Sequence, residues 1–427
     1  MKRFKNPDRS DWADLARRPQ LELEFLESSV RNILNRVQAS GDLVLKEFSK
    51  RFDGATINEL EVSQDEIKKA VASLDNNLKA AMTVAADNIR KFHIAQRSPV
   101  SKLDTMPGVS CWRKFIPIEK VGLYIPGGSA PLFSTVLMLA IPAQIAGCAE
   151  VIMCTPPSAD GTVNNAILFA ASISGVTRIF KVGGAQAIGA MAYGTAAIPA
   201  VYKIFGPGNQ YVTKAKQMVN QEGIAIDMPA GPSEVMVIAD STADPSFVAA
   251  DLLSQAEHGA DSQVVLLSTD ESKLNQVQKE LDVQLEQLPR KKIAMQALVN
   301  SLAICFKDKS QCMAFANYYA PEHLIINTSD CDALCEQVTN AGSVFLGPYS
   351  PEAIGDYASG PNHTLPTNGF AKAYSGVSLE SFMKAVTFQK LTSEGMKVIG
   401  PYTETLASAE QLEGHRNAVS IRLKQVQ

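Results

Sequence analysis

Histidine is scarce in this sequence, with five in 427 residues, and none of its seven cysteines stands in a C-x-x-C pair. Cys111, Cys148, Cys154, Cys305, Cys312, Cys331 and Cys335 are odd in number and scattered. They read as buried thiols rather than disulfides or a cysteine-type zinc site. No apolar run approaches the roughly 20 residues that cross a bilayer. No Lys/Arg stripe is present, and a net charge of −4 carries no nucleic-acid footprint. The opening MKRFKNPDRSDWADLARRP has no apolar segment, and Asp8, Asp11 and Asp14 argue against a transit peptide. The expectation is a cytoplasmic protein with neither membrane nor nucleic acid as partner. A hydrophobic content of 46% and a charged content of 20% suit a globular chain with a substantial core.

What is present divides the chain. The first 120 residues read mostly as helix, over 28–52 with an interruption at Gly41 and over 63–96 as one long helix. Ser63 and Glu66 make a capping box at the start of the second. From about 120, short apolar runs alternate with helical stretches: KVGLYI, EVIMCT, RIFKVG and VYKIFG, then EVMVIAD, QVVLLST, LAICF, HLIINT and SVFLG. Such alternation implies parallel βαβ units with both sheet faces covered. Pro142 should bend or end the helix that follows KVGLYI. Residues from about 378 read as helices with a short strand, too few to bury a core alone.

Four glycine loops follow strand ends: YIPGGSAP, VGGAQAIG, FGPGNQYV and PAGPSE. Ligands of open parallel sheets bind beyond the carboxyl ends of strands, and helix N-termini there favour phosphate. Yet no G-x-G-x-x-G occurs in the first βα turn, and GAQAIGA lacks the Lys-Ser/Thr of a phosphate-binding loop. Each loop taken singly is as well read as an ordinary tight turn. Four in one unit favour a nucleotide or phosphate ligand.

Polar residues gather where the apolar pattern stops. Gln255 and His258 are three apart at the end of an apolar helix, and so share a face. Glu322 and His323 stand together at the entry of a buried strand, where an unpaired charge would be costly. Either could act as a general acid or base. Asp356 ends a helix, His363 lies in a Gly/Pro loop, and Glu410 and His415 sit in the tail. Two histidines, a carboxylate and an amide oxygen suit a borderline ion such as zinc. His93 and His363 are assigned no role.

The blocks VGLYIPGGSAPLFSTVLM, IDMPAGPSEVMVIAD, DLLSQAEHG, APEHL and GDYASGPNHTLPT resemble the signature blocks of histidinol dehydrogenase, in that family's order. The resemblance implies an α/β fold of two incomplete Rossmann-like units with N-terminal helices and a small helical tail. Residues 1–20 would be a tail. Residues 21–120 with 235–377 would form one discontinuous domain carrying substrate and zinc groups. Residues 121–234 would form the NAD-contacting domain, and 378–427 a dimerisation tail. It also implies oxidation of L-histidinol through L-histidinal to L-histidine by a homodimer, with two NAD+ and one Zn2+ per subunit. Carried over residue by residue, Gln255, His258, Asp356 and His415 would bind zinc, His415 from the partner subunit. Glu322 and His323 would be the acid/base pair. Ser233 and Glu410 would contact substrate, as would His323 and the zinc ligands. Tyr124, Gln186 and Asn209 would contact NAD. The residues alone leave open a dehydrogenase of another amino alcohol, or a non-catalytic metal or nucleotide sensor.

Overall fold

The computed structural model describes residues 1–18, 23–127, 131–229 and 231–426. Two parallel sheets organise it. In the first, the strands lie in the order Arg178–Lys181, Glu150–Thr155, Lys120–Tyr124, Lys203–Phe205 and Ala225–Ile226. Numbered along the chain this is 3-2-1-4-5, the order of a Rossmann half, with its switch point between Lys120–Tyr124 and Lys203–Phe205. The second sheet repeats that order with Leu302–Cys305, Gln263–Ser268, Glu234–Ala239, His323–Asn327 and Ser343–Leu346. One more strand, Lys2–Lys5, extends it by pairing in parallel with Leu302–Cys305. The strands are apolar runs because helices cover both faces, as parallel sheets require.

The expected α/β class and its two Rossmann-like units are present. Several expectations need correction. The helices of the first hundred residues, expected with the 235–377 unit, pack on the first sheet instead. Val30, Leu34 and Phe48 share a core with Tyr124 and Ile152, and Met82 and Ile89 share one with Val121 and Leu137. Residues 1–5 are not a free tail but a sheet edge. The long helix over 63–96 is two, Gln64–Ser73 and Asn76–Ile94. Asp75 divides them: its carboxylate caps the second by accepting from the N–H groups of Asn77 and Leu78. The capping box of Ser63 and Glu66 is present in both halves.

Pro142 does not end its helix, which continues over Phe133–Ala146. The carbonyl that proline leaves without a donor, that of Met138, accepts from the side-chain amide of Asn362. A third, antiparallel sheet was not expected. Lys102–Met106 pairs with Val109–Pro117, which pairs with Met383–Leu391. Beyond it, Ser393–Ala409 and Glu413–Val426 pack as a helical pair.

Candidate active site

The second sheet places its polar residues at the amino ends of two adjacent central strands. Glu234 opens one and His323 the other, with His323 in register beside Val235. Gln255 is the penultimate residue of the helix Pro245–Ala256 that joins the strands Glu234–Ala239 and Gln263–Ser268, so the C-terminus of that helix reaches the same edge. A helix C-terminus carries partial negative charge and favours a cation. His258 lies beyond the helix, not on its face. The turn bond from its N–H to the Gln255 carbonyl, 3.2 Å, keeps the two together.

Glu322 and His323 do not diverge as alternate residues of a regular strand would. Glu322 precedes the strand, and its Oε2 lies 3.7 Å from His323 Nδ1. Both are buried. The backbone of Glu234 holds the two: its N–H donates to Glu322 Oε2 (2.8 Å), and its carbonyl accepts from His323 Nδ1 (3.2 Å). On the other side of the ring, Nε2 meets Asp356 Oδ1 at 3.2 Å. The Gln255 amide lies between Glu322 and Glu352 and can donate to either.

One residue of this cluster was not singled out from sequence, and another was named without a role. Glu352 is fully enclosed, takes a bond from Ser254 Oγ (2.6 Å), and leaves Oε2 without a partner 4.0 Å from His323 Nδ1. The signal was available: Glu352 stands four before Asp356, on the same face of the helix Glu352–Tyr357. His363, left without a role, bonds the Asp356 carbonyl through Nδ1 (2.9 Å) and Thr135 Oγ1 through Nε2 (3.2 Å). Thr135 is in the first turn of Phe133–Ala146, at the carboxyl edge of the first sheet. Through His363 the polar cluster therefore links the carboxyl edge of one sheet to the amino edge of the other.

Its electrostatics are acidic. Burial raises the carboxyl groups of Glu322 and Glu352 to about 8 each. Burial opposes the charge of His323, but Glu322, Asp356 and Glu352 outweigh it and hold the imidazole well above its usual range. Asp356 is drawn below the carboxylate range by His323 against the opposing effect of burial. His258 is exposed at the rim, while the surrounding protein lowers its pKa and Asp356 opposes the shift. Among the described residues no Lys or Arg pairs with Glu322, Glu352 or Asp356. An excess of carboxylate, an orphaned acid oxygen and a helix C-terminus together suit a divalent cation.

Gln255, His258 and Asp356 supply an amide oxygen, an imidazole and a carboxylate, a donor set within zinc chemistry. Among the described residues there is no cluster of three His, Cys, Asp or Glu able to hold a metal. Glu410 follows the helix Ser393–Ala409 and His415 lies in the first turn of Glu413–Val426, both exposed and bonded to none of the pocket residues. Ser233 is half-buried immediately before Glu234, with its carbonyl accepting from Gln263 N–H (3.1 Å).

The three residues expected to contact NAD share the carboxyl edge of the first sheet. Tyr124 ends its strand, buried, with its hydroxyl accepting from Gly184 N–H (3.0 Å). Gln186 is buried in the first turn of Gly184–Tyr193. Asn209 caps Gln210–Gln221 through Val212 N–H. The helices Phe133–Ala146 and Gly184–Tyr193 begin here without a side-chain cap. Such ends leave backbone donors for an anion, which fits a dinucleotide pyrophosphate. Part of the YIPGGSAP loop, Gly128 to Ala130, and Ala230 of PAGPSE lie outside the described residues.

Comparison with known proteins agrees along the whole chain. A family model described as histidinol dehydrogenase matches residues 16–423. A histidinol dehydrogenase of Bacteroides fragilis is 58% identical over 426 residues, covering 100% of both chains. A chloroplastic histidinol dehydrogenase of Arabidopsis thaliana is 51% identical over 97% of this chain and 89% of its own. The crystal structure of histidinol dehydrogenase from Elizabethkingia anophelis superposes with a TM-score of 0.97 at 54% identity, covering 100% of this chain and 98% of that one. With the family blocks, the repeated sheet order and these matches in agreement, the chain belongs to the histidinol dehydrogenase family.

Proposed function

We propose that the chain oxidises L-histidinol through L-histidinal to L-histidine, the last steps of histidine biosynthesis, in the cytoplasm. The observation that carries this reading is the buried Glu322–His323 pair at a shared edge with Gln255, His258 and Asp356, in a chain of this family. Gln255, His258 and Asp356 would hold zinc, with His415 from the partner's tail. Zinc, when bound, supplies a Lewis acid and a template for the imidazole and amine of the substrate. NAD+ supplies the hydride acceptor, with Tyr124, Gln186 and Asn209 at its edge of the pocket.

The residues of the chain then move the protons. Both nitrogens of His323 now face acceptors, which favours the imidazolium. The base acts from the neutral ring, with Nε2 free of the Asp356 carboxylate. Its Nδ1–H stays on the Glu234 carbonyl, and its free Nε2 accepts the proton of the substrate alcohol as hydride leaves the carbon. The aldehyde stays enclosed, which protects it from side reactions. Glu322 then takes a proton from the water that adds to the aldehyde carbon, and the His323 imidazolium returns its proton to the aldehyde oxygen, giving the hydrate and a neutral ring. The hydrate loses its second hydride to a second NAD+ and a proton to His323, giving the carboxylic acid, which ionises to the carboxylate by releasing its proton to water. Ser233 and Glu410 would bind the rest of the substrate.

The test is NADH formed per histidinol consumed, before and after chelation and zinc re-addition. Two NADH per histidinol, lost on chelation and restored by zinc, is the expected result. One NADH with free aldehyde would remove the second oxidation and the part assigned to Glu322. Oxidation of another amino alcohol in place of histidinol would change the substrate.

A further inference from the structure

Glu234 binds the acid/base pair with its backbone, while its side chain turns to a separate buried partner, Arg18. Its carboxylate is buried and meets Arg18 in a bidentate pair, Nε to Oε1 and Nη2 to Oε2 at 3.0 Å each. Arg18 is almost as buried, with a side-chain exposure of 7%. Its Nη2 also donates to the Tyr319 carbonyl (2.8 Å), and its guanidinium carbon lies 3.4 Å from the centre of the Tyr319 ring. The same Glu234 Oε1 accepts from Asn368 N–H (2.7 Å). Tyr319 is three residues before Glu322, and between them Ala320 takes a left-handed conformation at φ +56° that only Gly adopts freely. Asn368 is five residues after His363.

One ion pair thus grips three segments: residue 234, the turn that delivers Glu322 and His323, and the loop that carries His363. We infer that Arg18 and Glu234 are positioning residues, whose pairing fixes the peptide unit at 234 against which Glu322 and His323 are set. The inference rests on the reading of Glu322 and His323 as the acid and base. Neither Arg18 nor the Glu234 carboxylate bonds directly to any other side chain of the acidic cluster. Their action is through the backbone N–H and carbonyl of residue 234 and through Tyr319. A buried ion pair is weak evidence of stability in itself, since hydrophobic replacement is often neutral. What this pair supplies is register. A bidentate guanidinium fixes distance and plane together, which an ammonium does not.

The experiment uses the full-length, zinc-loaded protein with Arg18→Ala, Arg18→Lys and Glu234→Gln, beside the wild type. The expected result is a fall in kcat of at least tenfold in each, with KM for histidinol within about twofold and with unchanged elution and far-UV circular dichroism. Millimolar guanidinium is expected to restore part of kcat to Arg18→Ala but not to Glu234→Gln. Crystals of Arg18→Ala should show Glu322 or His323 moved from the 234 peptide. A folded Arg18→Ala with wild-type kcat, or with Glu322 and His323 unmoved, overturns the inference. If Arg18→Ala does not fold, Arg18→Lys decides, and wild-type kcat there overturns it. Inactive wild-type protein would instead count against the histidinol reading, which separates the two failures.

Discussion

Asn362 donates its side-chain amide to the carbonyl of Met138, the group that Pro142 cannot serve from four residues on. A single hydrogen bond thus repairs a helix of the first sheet and anchors the block that carries His363 and Asp356. It predicts an unusual coupling. Asn362→Ala orphans a buried carbonyl and should cost about 1–3 kcal/mol of stability. In a Pro142→Ala background the new N–H can serve Met138, so the same change should cost much less. Equilibrium denaturation of the four combinations measures the coupling. Equal costs in both backgrounds would show that Asn362 acts elsewhere.

The parallel strands were legible because a strand covered on both faces is an unbroken apolar run between glycines. What escaped the sequence was held by distant partners. Lys2–Lys5 is four exposed residues, KRFK, and is a strand only because Leu302–Cys305 offers it a backbone edge. The strand Lys102–Met106 is largely exposed and Val109–Pro117 largely half-buried, both are mixed in polarity, and their sheet closes with Met383–Leu391, far along the chain. Glu322, His323, Gln255 and Asp356 were readable as polar residues at the ends of apolar runs. Which end of which sheet they line was not, since the carboxyl-end rule holds here for the first sheet only. Arg18 gave no sign at all, because the acid that buries it is Glu234, 216 residues away.

His323 faces Asp356 through Nε2 and the Glu234 carbonyl through Nδ1, so it adjoins the proposed ligand set without belonging to it. His323→Asn should lower kcat by about 10²–10⁴-fold, the range of a lost general base. Zinc should stay near one per subunit, measured by atomic emission on dialysed protein. Loss of metal with activity would place His323 among the ligands instead.

His93 makes a stability prediction with a defined sign. It is fully buried, bonds the Ile89 carbonyl through Nδ1, and leaves Nε2 unpartnered. Burial lowers its pKa, and the Ile89 bond opposes this only in part. A base with a lowered folded pKa binds fewer protons folded than unfolded, so stability falls as pH drops below the unfolded value near 6.5. The largest slope from one such group is about 1.4 kcal/mol per pH unit. His93→Gln should flatten the urea-denaturation stability profile below that pH by up to this amount. An unchanged slope would mean that His93 is already charged in the fold.

The proposed roles of His415 and Glu410 can be tested by asking how many chains make one site. Both are exposed on the tail, which also exposes Val398, Tyr402, Leu406, Leu412 and Ile421, an apolar set suited to a second copy. If each pocket takes His415 from its partner's tail, a variant lacking Asp356 and one lacking His415 can complement each other. In a mixed dimer of Asp356→Ala and His415→Ala, one pocket receives both native residues and the other receives neither. Unfolding and refolding the two inactive variants together in equal amounts should therefore restore about a quarter of wild-type activity, half of the dimers being mixed with one good site each. A tail that served its own pocket would restore nothing, because every site would lack one ligand or the other.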